Sequence, residues 1–271
     1  AGVKRAIEIV ELALQKYGPP IYVRHEIVHN KRVVQELSKK GAVFVEELEE
    51  IPLGSRVIFS AHGVSKKIKK VAKDYKHLTL DATCPLVSKV HKQTEKYFYK
   101  DYKIILIGHK GHPEVVGIQG QISKELILIQ NEEEANKVQL DKKDKVAYVT
   151  QTTLSLDDTK NIIKILKRKN PNIEGPELDD ICYATQNRQE AVNELANKCD
   201  LVLVIGSENS SNTQRLAEIV KKKQVVVYRI ANANEIKKNW LDRVQNIGIT
   251  AGASSPEILI LSLIHISEPT R

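Results

Sequence analysis

Methionine is missing from all 271 residues, position 1 included. The chain opens Ala1-Gly2-Val3-Lys4-Arg5-Ala6 and is already in a helical pattern of apolar positions, Ala6, Ile7, Val10 and Leu14. It is therefore expected to be cut ahead of Ala1, with any targeting peptide out of sight. Aromatic residues make up only 5%, which leaves little stacking surface for single-stranded nucleic acid. Three cysteines in a chain this long make no disulfide framework, so a reducing, cytoplasmic setting is expected. No apolar run approaches the ~18 residues of a membrane helix, and no membrane partner is expected.

What is present is ordinary for a globular protein: 41% hydrophobic and 28% charged residues. The net charge of +8 admits an anionic partner. The lysines fall in runs at 66–70, 142–145 and 221–223, where acidic or apolar residues interleave or follow. They read as solvated faces, so no nucleic acid is expected.

One unit recurs: a short β-branched strand, a polar loop, then an amphipathic helix. Strands are predicted at 21–23, 56–59, 78–80, 104–107, 146–149, 201–205 and 247–250. Helices are predicted from Lys31, after Ser65, through Lys167 and up to Lys222. Alternating strands and helices imply α/β architecture with parallel sheets, and such sheets bind ligands at the C-terminal ends of their strands. Residues 170–176 and 178–181 read as a linker.

The strand-end loops carry the chemistry. Cys84, in Asp81-Ala82-Thr83-Cys84-Pro85, and Cys182, in Asp180-Ile181-Cys182-Tyr183, each close an apolar run and open a helical one. A thiol at a helix N-terminus is biased toward thiolate, which binds metals or attacks electrophiles. Gly108-His109-Lys110-Gly111-His112-Pro113-Glu114 sets histidines beside a carboxyl group, suited to phosphate, metal or proton transfer. His29 and His62 also follow strands. With His112 they suggest one convergent site; without the i, i+4 spacing of a helical zinc pair, anion binding is the better reading.

Ser207-Glu208-Asn209-Ser210-Ser211-Asn212, Ala251-Gly252-Ala253-Ser254-Ser255-Pro256 and Thr150-Gln151-Thr152-Thr153 all stand between a strand and a helix. Each could be a simple helix cap; together they suit a phosphorylated ligand. None is a Walker loop or a dinucleotide fingerprint. Cys199 precedes a strand at the opposite end and reads as structural or incidental.

The segments Tyr22-Val23-Arg24-His25-Glu26-Ile27-Val28-His29-Asn30, Phe59-Ser60-Ala61-His62-Gly63-Val64, Asp81-Ala82-Thr83-Cys84-Pro85-Leu86-Val87, Ile107-Gly108-His109-Lys110-Gly111-His112-Pro113-Glu114, Thr150-Gln151-Thr152-Thr153-Leu154-Ser155 and Asp180-Ile181-Cys182-Tyr183-Ala184-Thr185-Gln186-Asn187-Arg188-Gln189 closely resemble the 4-hydroxy-3-methylbut-2-enyl diphosphate reductase family. The stretch 206–212 does so too, and the likeness runs from Ala1 to about Ile260.

The resemblance implies three parallel-sheet α/β domains arranged around a central cavity, at 1–85, 86–179 and 180–260. It implies reductive dehydroxylation of an allylic diphosphate to isopentenyl and dimethylallyl diphosphates, the last step of the non-mevalonate isoprenoid route. It implies a 4Fe-4S cluster with an open iron, and ferredoxin or flavodoxin as electron donor. Cys84 and Cys182 match two cluster ligands. His29, His62, His112, Ser210, Ser211, Asn212 and Ser254 would hold the diphosphate, and Glu114, assisted by Thr152, would protonate the leaving hydroxide.

Two departures accompany it. The family's first cluster cysteine falls just ahead of Ala1, so an inactive fragment that only binds a phosphorylated metabolite is an alternative. Residues 261–271 depart from the family, read as a non-native tail, and are not expected to form a packed helix. A cysteine-nucleophile enzyme acting on a phosphorylated substrate is a further alternative, separable by iron content.

Overall fold

The structure, a computed structural model, describes residues 2–141, 143–176 and 180–267, the last four by backbone alone. The chain divides into two compact units: Ala1–Val28 with Val34–Cys182, and His29–Val33 with Tyr183–Arg271. The described residues form three parallel sheets, two in the first unit and one in the second.

The first sheet contains β1 (Ile21–Arg24), β2 (Ala42–Val45), β3 (Arg56–Phe59) and β4 (Leu78–Asp81), in the order β2-β1-β3-β4. Its register pairs Val23 with Phe44 on one side and Ile58 on the other. Helix α1 (Gly2–Tyr17) buries Gly2, Ala6, Val10, Ala13 and Leu14, the stripe its 3.6-residue period dictates. Helices α2 (Lys31–Lys39) and α3 (Lys66–Asp74) follow β1 and β3.

The second sheet contains β5 (Lys103–Ile107), β6 (Ile127–Ile129) and β7 (Val146–Thr150), in the order β6-β5-β7. Side chains alternate across it. Ile105, Ile107, Val146 and Tyr148 pack with Ile162 and Leu166 of a long helix (Leu156–Lys169) on one face. On the other, Ile104, Leu106, Ala147 and Val149 meet Val90 and Tyr97 of α4 (Pro85–Tyr99) and Val115 and Ile118 of α5 (Pro113–Gln119). With both faces covered, all five residues of β7 are buried, which explains its unbroken apolar run. The short α6 (Glu132–Lys137) follows β6, making the long helix α7.

The third sheet, in the second unit, contains β8 (Leu201–Ile205), β9 (Val226–Ile230) and β10 (Ile247–Ala251), in the order β10-β8-β9. Val202 and Val204 pack with α8 (Tyr183–Ala196) and α9 (Ser211–Lys222) through Val192, Ala196, Leu216 and Val220. Leu201, Leu203 and Ile205 face α10 (Glu257–Ser267). Burying one such aliphatic side chain contributes about 1.5–3 kcal/mol.

Two expectations are corrected. Residues 170–176 are not a free linker. Ile173 is buried, the Glu174 N–H donates to the Val146 carbonyl at 3.0 Å, and its carbonyl accepts from the Tyr148 N–H at 2.8 Å. β7 is the outer strand of its sheet, and this segment satisfies its otherwise unpaired backbone groups. Residues 177–179 lie outside those described. The expected absence of a packed helix after 260 also fails: α10 runs to Ser267, and Leu259 and Leu263, four apart on one face, are both buried. Residues 268–271 lie outside those described. No described helix is long and apolar enough to cross a membrane.

Candidate active site

In the first unit the strand ends deliver a connected set of groups. β4 leads to Cys84, whose N–H donates to the Ala61 carbonyl at 3.0 Å. The Asp81 carboxylate accepts from the Thr83 N–H at 3.0 Å and from the Thr83 hydroxyl, fixing the turn. Cys84 is the N-cap of α4, with Pro85 opening the helix. The start of α1 lies against this thiol: a β-carbon at Gly2 would fall 2.5 Å from Cys84 Sγ, so a larger residue there requires the thiol or the helix start to shift.

Cys182 directly precedes α8, and its N–H donates to the Thr152 carbonyl at 2.9 Å. The Thr152 N–H donates to Glu114 Oε1 at 2.7 Å, and its hydroxyl donates to Oε2 at 3.0 Å. Glu114 is buried at 2% exposure in the first turn of α5. Burial drives its pKa up to about 7; the two Thr152 hydrogen bonds resist, and the Asp180 charge adds to the rise. Near neutral pH this carboxyl group can both hold and release a proton.

His112 caps α5, and its Nδ1 accepts from the Glu114 N–H at 3.2 Å. The His62 ring stands edge-on to it, with centroids 5.9 Å apart, and its Nδ1 lies 3.3 Å from Ser60 Oγ. Cys182, Thr152, Glu114, His112 and His62 thus form one chain of contacts.

The second unit gathers the other predicted residues. Ser210 is the N-cap of α9, its Oγ accepting from the Thr213 N–H at 3.3 Å; its own proton remains to be donated. Asn212 Oδ1 accepts from the Ala253 N–H at 2.9 Å, tying the β8 loop to the β10 loop. Ser211 opens α9. Asn209 Nδ2 lies 3.5 Å from His29 Nδ1, and Ser254 Oγ donates to the His29 carbonyl at 2.8 Å. The Ser254 proton is therefore committed to His29 and would reach a phosphate oxygen only by turning away. Hydroxyl and amide groups crowd the N-terminus of α9, where the helix dipole favours an anion. Thr213 Oγ1 lies 2.2 Å from where a β-carbon of either Gly206 or Gly252 would stand, so the two strand ends close tightly on α9.

Cys199 stays apart, packed with the hydrophobic cluster of α8 and α9. Burial pushes its thiol pKa up, away from the reactive thiolate. Sequence reasoning passed over Asp180, which is wholly buried and paired with Lys89 at 3.3 Å. Its partner lies far away along the chain, so no local pattern marks it.

Among the described residues, no group of three or more His, Cys, Asp or Glu side chains is placed to hold a metal ion. The two helix-start cysteines are soft donors, chemistry that fits a thiolate-held iron–sulfur group rather than a hard cation.

The LytB protein family matches residues 1–267. A protein of Psychrobacter sp. (strain PRwf-1) named 4-hydroxy-3-methylbut-2-enyl diphosphate reductase is 54% identical over 269 residues, 98% of this chain and 85% of the relative. Its namesake in Dechloromonas aromatica is 54% identical over 271 residues, 100% of this chain and 89% of the relative. The solved E-1-hydroxy-2-methyl-but-2-enyl-4-diphosphate reductase of Plasmodium falciparum superposes with a TM-score of 0.96 at 41% identity, covering 99% of this chain and 85% of that one. A second structure, described as the terminal enzyme of the non-mevalonate pathway, gives 0.69 at 31% identity, covering 97% and 93%. With a match over nearly its whole length, this chain belongs to the LytB family.

Proposed function

We propose that the protein reduces 4-hydroxy-3-methylbut-2-enyl diphosphate to isopentenyl and dimethylallyl diphosphates, the closing step of the non-mevalonate isoprenoid route, with ferredoxin or flavodoxin supplying electrons in the cytoplasm. The observation that carries this reading is Glu114, a buried carboxyl group with a pKa of about 7, joined through Thr152 to the backbone of Cys182.

Cys84 and Cys182 would be thiolate ligands of a 4Fe-4S cluster, which when bound would supply electrons and a Lewis-acidic iron for the substrate hydroxyl. The residues of the chain do the rest. The allylic C–O bond breaks, two electrons and two protons enter, and water leaves. Glu114 gives its proton to the departing oxygen, and Thr152 holds the carboxyl group in position. A carboxylate repels an anion, so its presence beside phosphate ligands makes sense as a proton donor.

His62 and His112 of the first unit and, separately, His29, Ser210, Ser211, Asn212 and Ser254 of the second are the groups the family resemblance assigns to phosphate oxygens. Reconstitution with iron and sulfide of the chain extended by a cysteine-bearing segment ahead of Ala1, followed by turnover with a reduced viologen dye and analysis of the products, tests the reading. Formation of both C5 diphosphates is expected. A colourless, iron-free protein that turns over no substrate would overturn it.

A further inference from the structure

A cavity of about 710 Å³ opens in the first unit beside Cys84. Thr83 and Pro85, the chain neighbours of that cysteine, form part of its wall. Arg5 of α1 and Lys89, Lys92 and Lys96 of α4 form much of the rest. Positions 85, 89, 92 and 96 recur at three and four residues, so they share one stripe of the helix. It starts at the Cys84 cap and extends about 18 Å along α4 at the usual helical rise.

The charges on this face are unequal. Lys92 and Lys96 are exposed and form no ion pair with any described residue. Lys89 pairs with Asp180, and Arg5 donates to the Thr83 carbonyl. Asp81 is the one carboxylate in the lining, and Lys69 and Thr83 already hold it. Glu95 turns aside to pair with Lys66 at 2.5 Å. What faces solvent is cationic and polar, with no aromatic residue in the lining on which a base could stack.

We propose that this stripe is the docking surface for an acidic one-electron carrier protein. The proposal rests on the reductase reading above and adds where electrons arrive. A reductase whose redox group is held by Cys84 needs its donor close to that residue, and the stripe ends there. Polar, charge-steered contact suits a carrier that must bind, deliver one electron and leave, twice per turnover. Rim charges of this kind act mainly on association rate and salt dependence.

The test uses the iron-reconstituted protein, extended by the same cysteine-bearing segment ahead of Ala1, with an acidic [2Fe–2S] ferredoxin as probe, and binding measured calorimetrically at low and at about 0.15 M salt. Wild type should bind, more weakly as salt rises. Lys92→Glu with Lys96→Glu should weaken binding about ten-fold or more at low salt, and the double glutamine variant should fall between. The thermal midpoint and viologen-driven turnover should not change. Charge reversal at Lys221 and Lys222 should leave binding intact. Equal binding by wild type and the Lys92/Lys96 variant, or equal loss in the Lys221/Lys222 variant, would overturn the proposal. Absence of viologen-driven turnover in wild type would count against the reductase reading alone, because binding is read separately.

Discussion

Thr152 grips both oxygens of Glu114, one through its backbone N–H and one through its hydroxyl. Both bonds favour the charged carboxylate, yet burial outweighs them and leaves the group with a pKa of about 7. The residue that orients the acid also keeps its proton affinity from climbing out of the useful range.

Glu114→Gln keeps the shape and one acceptor but has no proton to give. General acid catalysis of this kind contributes about 10²–10⁴-fold. The variant should bind substrate and lose turnover by a factor in that range, whereas His112→Ala should weaken diphosphate binding as well. Steady-state kinetics with the viologen dye decide. Near-normal turnover of the glutamine variant would mean that Glu114 only orients His112.

Two buried groups should pull stability in opposite directions with pH. Glu114 titrates near 7 in the folded chain against 4.5 in its absence. The native state therefore holds a proton that the unfolded state has released, and stability falls as pH rises from about 4.5 to 7. Burial lowers His91 to about 4 from 6.5. There the unfolded state holds the extra proton, so stability rises with pH across that interval. Each effect is about 1.4 kcal/mol per pH unit where it operates alone. Glu114→Gln should unmask a positive slope between pH 4.5 and 6.5, and His91→Gln a negative one. Chemical denaturation across the range would show it; parallel slopes for the two variants would refute it.

Cys84→Ser and Cys182→Ser should each lower iron content and visible absorbance after reconstitution. Cys199→Ser should change neither, because that thiol is packed with the α8 and α9 cluster. Iron loss in the Cys199 variant would assign the ligands differently.

Gly2→Ala drives a methyl group onto the Cys84 thiol. Overpacking of this sort costs about 1–3 kcal/mol. We expect a lower thermal midpoint together with poorer iron retention. An unchanged midpoint with full iron would show that the start of α1 yields easily.

The inner strands β1, β3, β5 and β8 were readable because burial on both faces demands unbroken β-branched runs. The three strands the pattern missed, β2, β6 and β9, all lie at sheet edges. Val43 at 40% exposure and Val226 at 53% are partly open to solvent, although these strands are as apolar in sequence as those that were read. Cys84, His112 and Glu114 stood out because they are chemically unusual residues in loops that follow strands, and Cys182 as a thiol just ahead of a helix, although no described strand leads into it. The Lys89–Asp180 pair and the Glu174 strap did not, since each depends on a partner brought close only by the fold. The helix through 267 was misjudged because Ser267, Pro269 and the want of a long apolar stripe argued against one, while Leu259 and Leu263 suffice for a buried face.

Gly206, Thr213 and Gly252 compete for a single volume. Neither glycine can be exchanged alone: an alanine at either position needs a smaller side chain at 213 before it can be accommodated. Variation at the glycines must come with variation at 213. The loops bearing Ser210, Asn212 and Ser254 should therefore pass down lineages as a block, tolerant of drift at their exposed tips and closed to it where they meet.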